Sequence, residues 1–425
     1  MPKTTSIRRR AAACLFAFLA GVGGAEAASA APLLVADIAT GQVLEAREAT
    51  TPWYPASLTK LMTTYVVLNA VKAGKLQLQT PLVYTERAQK EPPSKMGFQV
   101  GQTVTVDDAL KMLMVQSAND IAFILAEGVS GSVEAFVVEM NRTARQIGMS
   151  GSNFVNPNGL PVRPGPDLQR TTARDMALLA AALYRDHPDM AGLFALNAIK
   201  IGQRTMRNHN GLMGRYPGTD GMKTGYVCSS GYNVVATATR GGRRLVTVVL
   251  GAYSPLERSE TAVDAFERGW AATKAVGTLT TLPSVTAAFP VDLREDMCGK
   301  TGAQIRKARR LMLENHPWAP ALMSKPPVSP VMVYATPAPG KPDAQPEPSG
   351  IDEDAPAAAK PPALASTPGG KKPAAKAAQK PAKGKAGAAD KKPAASKTKT
   401  GRVKIELEPS AGMNAAVGAK PAGAL

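Results

Sequence analysis

The chain has 425 residues, and its 51 Lys and Arg against 33 Asp and Glu give a net charge of +18, which points toward nucleic acid until the charge is located. Residues 360–404 carry thirteen Lys or Arg against Asp390 alone, whereas residues 31–359 keep a net charge of only +4. A near-neutral body with a basic tail excludes a folded nucleic-acid-binding surface.

Residues 1–30 combine a basic start (Lys3, Arg8, Arg9, Arg10), an apolar run from Ala11 to Val22 and small-residue sites ending at Ala27 and Ala30. This is the pattern of a cleaved secretion signal, and it predicts a mature chain exported across the inner membrane to the periplasm or cell envelope. The run falls short of the roughly 20 residues that a spanning helix requires. Cys14 lies in that run and is expected to leave with the signal.

From Leu33 the sequence L-L-V-A-D, a turn at Thr40-Gly41 and Q-V-L-E-A predict a β-hairpin. A helix is expected from Ser57, with Leu58, Leu61, Met62, Tyr65, Leu68 and Val71 at helical spacing. A second helical region, Asp107 to Gly128, is broken by the polar segment Ser117 to Asp120, and a third helix starts near Thr171-Thr172, where Thr and Asp175 fit a capping box. After Gly221 the texture becomes Val- and Thr-rich: Tyr232–Thr239 and Arg244–Ala252, separated by Gly241-Gly242, predict an antiparallel hairpin, and Glu260–Lys274 returns to helix.

Strands at both ends with helices between them imply an α+β domain over residues 31–275, one antiparallel sheet flanked by helices. Residues 276–324, with an extended stretch Ser284–Phe289 and a basic helix Ala303–Glu314, read as a short appended segment too small for a core of its own. Residues 325–425 are dominated by Pro, Ala, Lys and Gly and are expected to be disordered. Of the cysteines that remain, Cys228 and Cys298 form either a disulfide or two buried thiols. No CxxC or paired-His spacing marks a metal site, nothing points to a cofactor, and His187, His209 and His316 read as structural or exposed.

Chemistry enters at Ser57-Leu58-Thr59-Lys60, S-x-x-K at a helix start. Residues i and i+3 share a helix face, so a partly desolvated Lys60 can take the proton of Ser57, and free N–H groups at the helix start suit a developing oxyanion. Alone the match is weak, since Ser396-Lys397-Thr398-Lys399 in the tail repeats it. Its company raises it. Ser117-Ala118-Asn119 puts a hydroxyl and an amide at a break between helices, and Lys223-Thr224-Gly225 puts a cation, a hydroxyl and a close-approach glycine at the entry to a strand pair. Lys300-Thr301-Gly302 precedes a helix and is rejected as a decoy.

The order S-x-x-K, S-x-N, K-T-G, with Phe154-Val155-Asn156-Pro157-Asn158-Gly159-Leu160 and Thr219 to Tyr226, resembles the penicillin-binding D-alanyl-D-alanine carboxypeptidases from about Leu33 to Trp270. The resemblance implies that Ser57 attacks the carbonyl between two D-alanines of a peptidoglycan stem peptide, with Lys60 as base and Ser117 and Asn119 continuing the proton network. It implies further that Lys223, Thr224 and Arg258 hold the terminal carboxylate, Gly225 permits close approach, and the N–H groups of Ser57 and Tyr226 form the oxyanion hole. β-Lactams would then be covalent inhibitors. For Arg258 an exposed arginine at a helix start is the alternative.

Three other readings were weighed. A β-lactamase of the common type needs E-x-x-x-N between the second and third motifs; Glu127, Glu134 and Glu139 are followed four residues on by Gly131, Val138 and Thr143, so slow release of bound penicillin is expected. A D,D-endopeptidase that cuts cross-links would use the same residues. A non-catalytic wall-binding protein conflicts with complete motifs, although the Lys-rich tail could contact anionic envelope polymers by screened charge; unchanged envelope binding at low salt after tail deletion would remove that idea.

Overall fold

The computed structural model describes residues 31–161, 168–283, 289–340 and 348–349. The expected signal, the stretch 284–288 and nearly all of the Lys-rich tail lie outside them. β1 (Leu33–Asp37) and β2 (Gln42–Arg47) form the expected hairpin. A 3-10 turn, Ala56–Leu58, leads into α1 (Thr59–Lys72), so Ser57 sits in the turn and Lys60 in the helix proper.

Short strands β3 (Pro81–Val83) and β4 (Thr103–Thr105) pair on either side of α2 (Glu86–Gln89). The broken helical region resolves into α3 (Val106–Val115) and α4 (Asn119–Ser130), followed by α5 (Val133–Gln146) and α6 (Ala173–Asp186). Thr172 Oγ1 accepts the N–H of Asp175 as the capping pattern requires. The box is not closed in return: the Asp175 carboxylate takes the N–H of Gly151, the hydroxyl of Ser152 and the Arg174 guanidinium instead.

α7 (Ala191–Phe194) precedes a hairpin that the sequence did not announce, β5 (Ala198–Ile201) and β6 (Arg204–Arg207). Its alternation is masked by Lys200, Arg204 and Arg207 around a few apolar residues, too brief a pattern to stand out. β7 (Thr219–Val227), β8 (Gly231–Arg240) and β9 (Arg243–Ala252) complete the antiparallel meander.

α8 runs from Pro255 to Ala271, five residues earlier at its start than apolar spacing implied. Its true start was readable: Ser254 caps the Glu257 N–H and Pro255 occupies the first turn, where its missing N–H costs nothing. A cap of this kind contributes about 1 kcal/mol.

The main sheet has the order β10-β2-β1-β9-β8-β7, where β10 is Gly277–Thr278. Both faces are covered, and side chains alternate between two cores as a pleated strand demands. Leu33 and Val35 of β1 join Val234 and Ala236 of β8 and Phe266 of α8 on one face. Leu34 and Ala36 join Val235, Val246 and Val248 with residues of α1, α3, α4 and α6 on the other. β7 is one of the two edge strands, so one row of its backbone groups faces away from the sheet.

Beyond β10 lie α9 (Arg294–Cys298), α10 (Gly302–Leu313) and α11 (Ala319–Met323), with the rejected Lys300-Thr301-Gly302 at the start of α10. Disorder expected from residue 325 onward does not hold for its first part. β11 (Val331–Met332) adds in parallel to β5, Val333 is fully buried, the Tyr334 N–H donates to Asp108, and Thr336 bridges to Thr103. The physical reason is the short apolar run Val331 to Val333, which pairs with β5 and buries Val333 although Pro and Ala surround it.

Cys228 and Cys298 are joined by a disulfide, with Cα atoms 5.7 Å apart and 70 residues between them. Beside it Met297 packs against Tyr232 and Ala252, and the Leu293 N–H donates to Ser229 O at 3.0 Å. Closing so long a loop is worth about 4 kcal/mol through the unfolded chain. We expect the double variant Cys228→Ser/Cys298→Ser to lose stability of that order in denaturant titrations. Free-thiol labelling of the unreduced protein should find neither cysteine; labelling of both would contradict the bond.

Candidate active site

Ser57 is placed by its own turn and by the sheet. Trp53 Nε1 donates to Ser230 O at 2.8 Å, and Asn233 Nδ2 donates to Tyr54 O at 3.0 Å. Asn233 also accepts the Gly251 N–H, so one buried amide ties the turn to β8 and β9. Gly225 of β7 then lies against the nucleophile: a Cβ there would sit 2.8 Å from Ser57 N and 3.0 Å from Leu58 N. Only glycine lets the strand come this close.

Lys60 is fully buried, and its Nζ makes three hydrogen bonds, to Ser57 Oγ at 2.8 Å, Asn119 Oδ1 at 2.8 Å and Asn158 O at 3.0 Å. Two of these partners are amide oxygens, which can only accept. They fix two N–H bonds of the amine. In its amine form Lys60 would have a lone pair to offer the Ser57 hydroxyl 2.8 Å away, the arrangement a general base requires.

Asn119 opens α4 and is held on three sides: its N–H donates to Ser94 O at 2.7 Å, its Nδ2 to Pro92 O at 2.9 Å, and its Oδ1 accepts from Lys60. Ser117 has a positive φ of 59°, which turns its side chain out of α3 into the cleft, where its buried Oγ has no hydrogen-bond partner. The loop carrying Ser94 is anchored from below by Asp120, whose carboxylate gathers the N–H groups of Met96 and Gly97 and the hydroxyl of Tyr84. Burial pushes the Asp120 carboxyl above its ordinary value, with these hydrogen bonds opposing it.

On the other side, Lys223 is buried with its Nζ donating to Thr224 O at 2.9 Å, and Thr224 Oγ1 is buried without a partner. Tyr226 stacks on Tyr232, their ring centroids 4.2 Å apart, and its hydroxyl lies 3.4 Å from Cys298 Sγ. The disulfide thus abuts a residue of the cleft wall. Arg258 is not an exposed helix-start residue. It is 1% exposed, its Nη2 donates to His209 O at 3.0 Å, and its guanidinium faces the Tyr232 ring.

Ser57, Ser117, Asn119 and Tyr226 converge on one cleft, with Lys60 behind Ser57 and Lys223 to Gly225 alongside on β7. Arg258 reaches this cleft through His209. Sequence reasoning missed Pro93, Ser94, Leu160 and His209, which also line it. Leu160 and Asn158 stand in a segment that was recognisable, whereas Ser94 and His209 are brought in by tertiary packing. A roomier cavity than this cleft lies elsewhere, between α8 and α10 beside Arg215, Leu256 and Arg306, away from Ser57 and Lys60, so size does not mark the chemistry here.

Residues 22–254 match the family model described as D-alanyl-D-alanine carboxypeptidase, more than half of the chain. The chain belongs to the D-alanyl-D-alanine carboxypeptidase family. Among family members, DacC of Escherichia coli K12 is 38% identical over 226 residues, which cover 52% of this chain and 56% of that protein. This chain therefore spans little more than half the length of that relative. Penicillin binding protein 5 from Haemophilus influenzae has the same fold with a TM-score of 0.54 and 35% identity, over 57% of this chain and 71% of that one. Penicillin-Binding Protein D2 from Listeria monocytogenes, solved in an ampicillin-bound form, gives a TM-score of 0.51 and 29% identity over 57% of this chain and 97% of that one. The α+β architecture, with a main antiparallel sheet flanked by helices, is the fold of this family.

Proposed function

We propose that the protein is a serine D-alanyl-D-alanine carboxypeptidase of the cell envelope that removes the terminal D-alanine from peptidoglycan stem peptides. The observation that carries this is the 2.8 Å hydrogen bond between Lys60 Nζ and Ser57 Oγ, on a buried amine that Asn119 and Asn158 also hold. Ser57 Oγ attacks the carbonyl carbon of the penultimate D-alanine as its proton passes to Lys60 Nζ. The N–H groups of Ser57 and Tyr226 receive the oxyanion. The C–N bond breaks as the leaving amine takes a proton relayed from Lys60 by the Ser117 hydroxyl, and water then releases the shortened peptide from Ser57.

The substrate lies along β7 as an added strand, which its edge position permits. Its terminal carboxylate meets the Lys223 ammonium and the unpartnered Thr224 hydroxyl, a charge-assisted pair of contacts. A β-lactam, whose carboxylate and strained amide present the same groups, acylates Ser57 in the same way. Incubation with a pentapeptide monomer should liberate free D-alanine. Release of monomers from cross-linked dimers, with the pentapeptide left intact, would replace this reading with the endopeptidase.

A further inference from the structure

Glu91 belongs to none of the three motifs, yet it is a 9% exposed carboxylate one residue-shell behind the reacting pair. It follows α2 and precedes the loop that carries Pro92 to Ser94. Its Oε2 accepts from Asn158 Nδ2 at 2.8 Å, while the main-chain carbonyl of that same Asn158 accepts from Lys60 Nζ at 3.0 Å. Asn158 Oδ1 in turn takes the Leu160 N–H at 3.1 Å. Asn158 is thus held by its side chain while its carbonyl meets Lys60.

We infer that Glu91 is a positioning residue for the Ser57–Lys60 pair: it clamps Asn158 against Lys60, and its charge governs how readily Lys60 gives up its proton. The inference rests on Ser57 being the residue that is acylated.

The charge part follows from the surroundings. Burial pushes Glu91 up to about 7, and Asp120 on α4 adds to this, while the Asn158 hydrogen bond, Arg87 on α2 and Lys60 on α1 oppose it by favouring the ionised carboxylate. Tyr84, which also faces this pocket, stays protonated: burial is the main cause, with Asp120 and Glu91 adding to it. Attraction between Glu91 and Lys60 is mutual. An ionised Glu91 holds Lys60 in the ammonium form, and a neutral group at the same place releases it toward the amine that Ser57 needs.

The test is the pH dependence of Ser57 acylation by a fluorescent penicillin on the intact mature protein. Glu91→Gln keeps an oxygen for Asn158 Nδ2 and removes only the charge. Its acidic limb is expected to move to lower pH by about half to one unit, a 3- to 10-fold faster reaction on that limb, with the high-pH plateau retained. Glu91→Asp keeps the charge on a shorter arm, so its limb should stay where the wild type has it while the plateau drops. A limb unmoved in Glu91→Gln, or a plateau change without a shift, overturns the inference. A wild-type protein that is not labelled at Ser57 would instead sink the functional reading beneath it.

Discussion

Lys60→Met is expected to slow acylation of Ser57 about 10³-fold or more while leaving a folded protein. Methionine has nearly the volume of lysine and removes only the amine, so the packing of α1 against α4 is kept. The change strands Asn119 Oδ1 and Asn158 O, at roughly 1–3 kcal/mol for each buried acceptor, but it also relieves the burial of a charged group. Thermal stability should therefore move far less than rate. Lys60→Arg separates base from charge. Arginine keeps the cation yet cannot surrender a proton at any working pH, so it should fail as badly as methionine. Stopped-flow acylation with a chromogenic cephalosporin, beside a thermal melt of each variant, reads both quantities. Substantial activity in Lys60→Arg would mean that the residue acts by charge alone.

Gly159→Ala is the second change expected to be severe, although Gly159 makes no side-chain contact with anything. Its φ is +86°, and a Cβ built there would lie 1.8 Å from Ala56 O, 2.5 Å from Ala56 C and 2.7 Å from Thr59 Oγ1. Those atoms belong to the turn that carries Ser57. Either the turn or the Asn158 carbonyl must retreat, and both are parts of the base–nucleophile geometry. We expect a loss of about 3 kcal/mol or more in stability together with at least a 10²-fold fall in acylation rate, since misplacement by an ångström has that cost. A Gly159→Ala protein with wild-type melting temperature and acylation would show that this contact is not rigid.

What the sequence made legible follows from the range of the interactions involved. Ser57 and Lys60 share one helical turn, Ser117 and Asn119 one helix break, and Lys223 to Gly225 one strand; each motif is local, so its setting could be anticipated from periodicity and turn residues. Glu91, Ser94 and His209 reach the site from segments whose own patterns say nothing of it. Glu91 meets Asn158 across 67 residues, and Arg258 meets His209 across 49. Arg258 also shows the limit of a helix-start reading, because it is buried facing the ring of Tyr232 on β8, an element remote in sequence. The strand β11 escaped notice for the opposite reason: its apolar run is too short to stand out from a Pro- and Ala-rich neighbourhood, and only the open edge of β5 gives it a partner. The Cys228–Cys298 bond could not be decided from two lone cysteines, since spacing alone fits both a bond and free thiols.

The central claim is that Ser57 is a nucleophile made reactive by Lys60. The most direct measurement is the intact mass of the mature protein after brief exposure to benzylpenicillin, followed by peptide mapping of the adduct. The account predicts a single added penicilloyl group, located on Ser57 and absent from the Lys60→Met variant under the same exposure. An unmodified wild-type protein, or an adduct on any other residue, would contradict it.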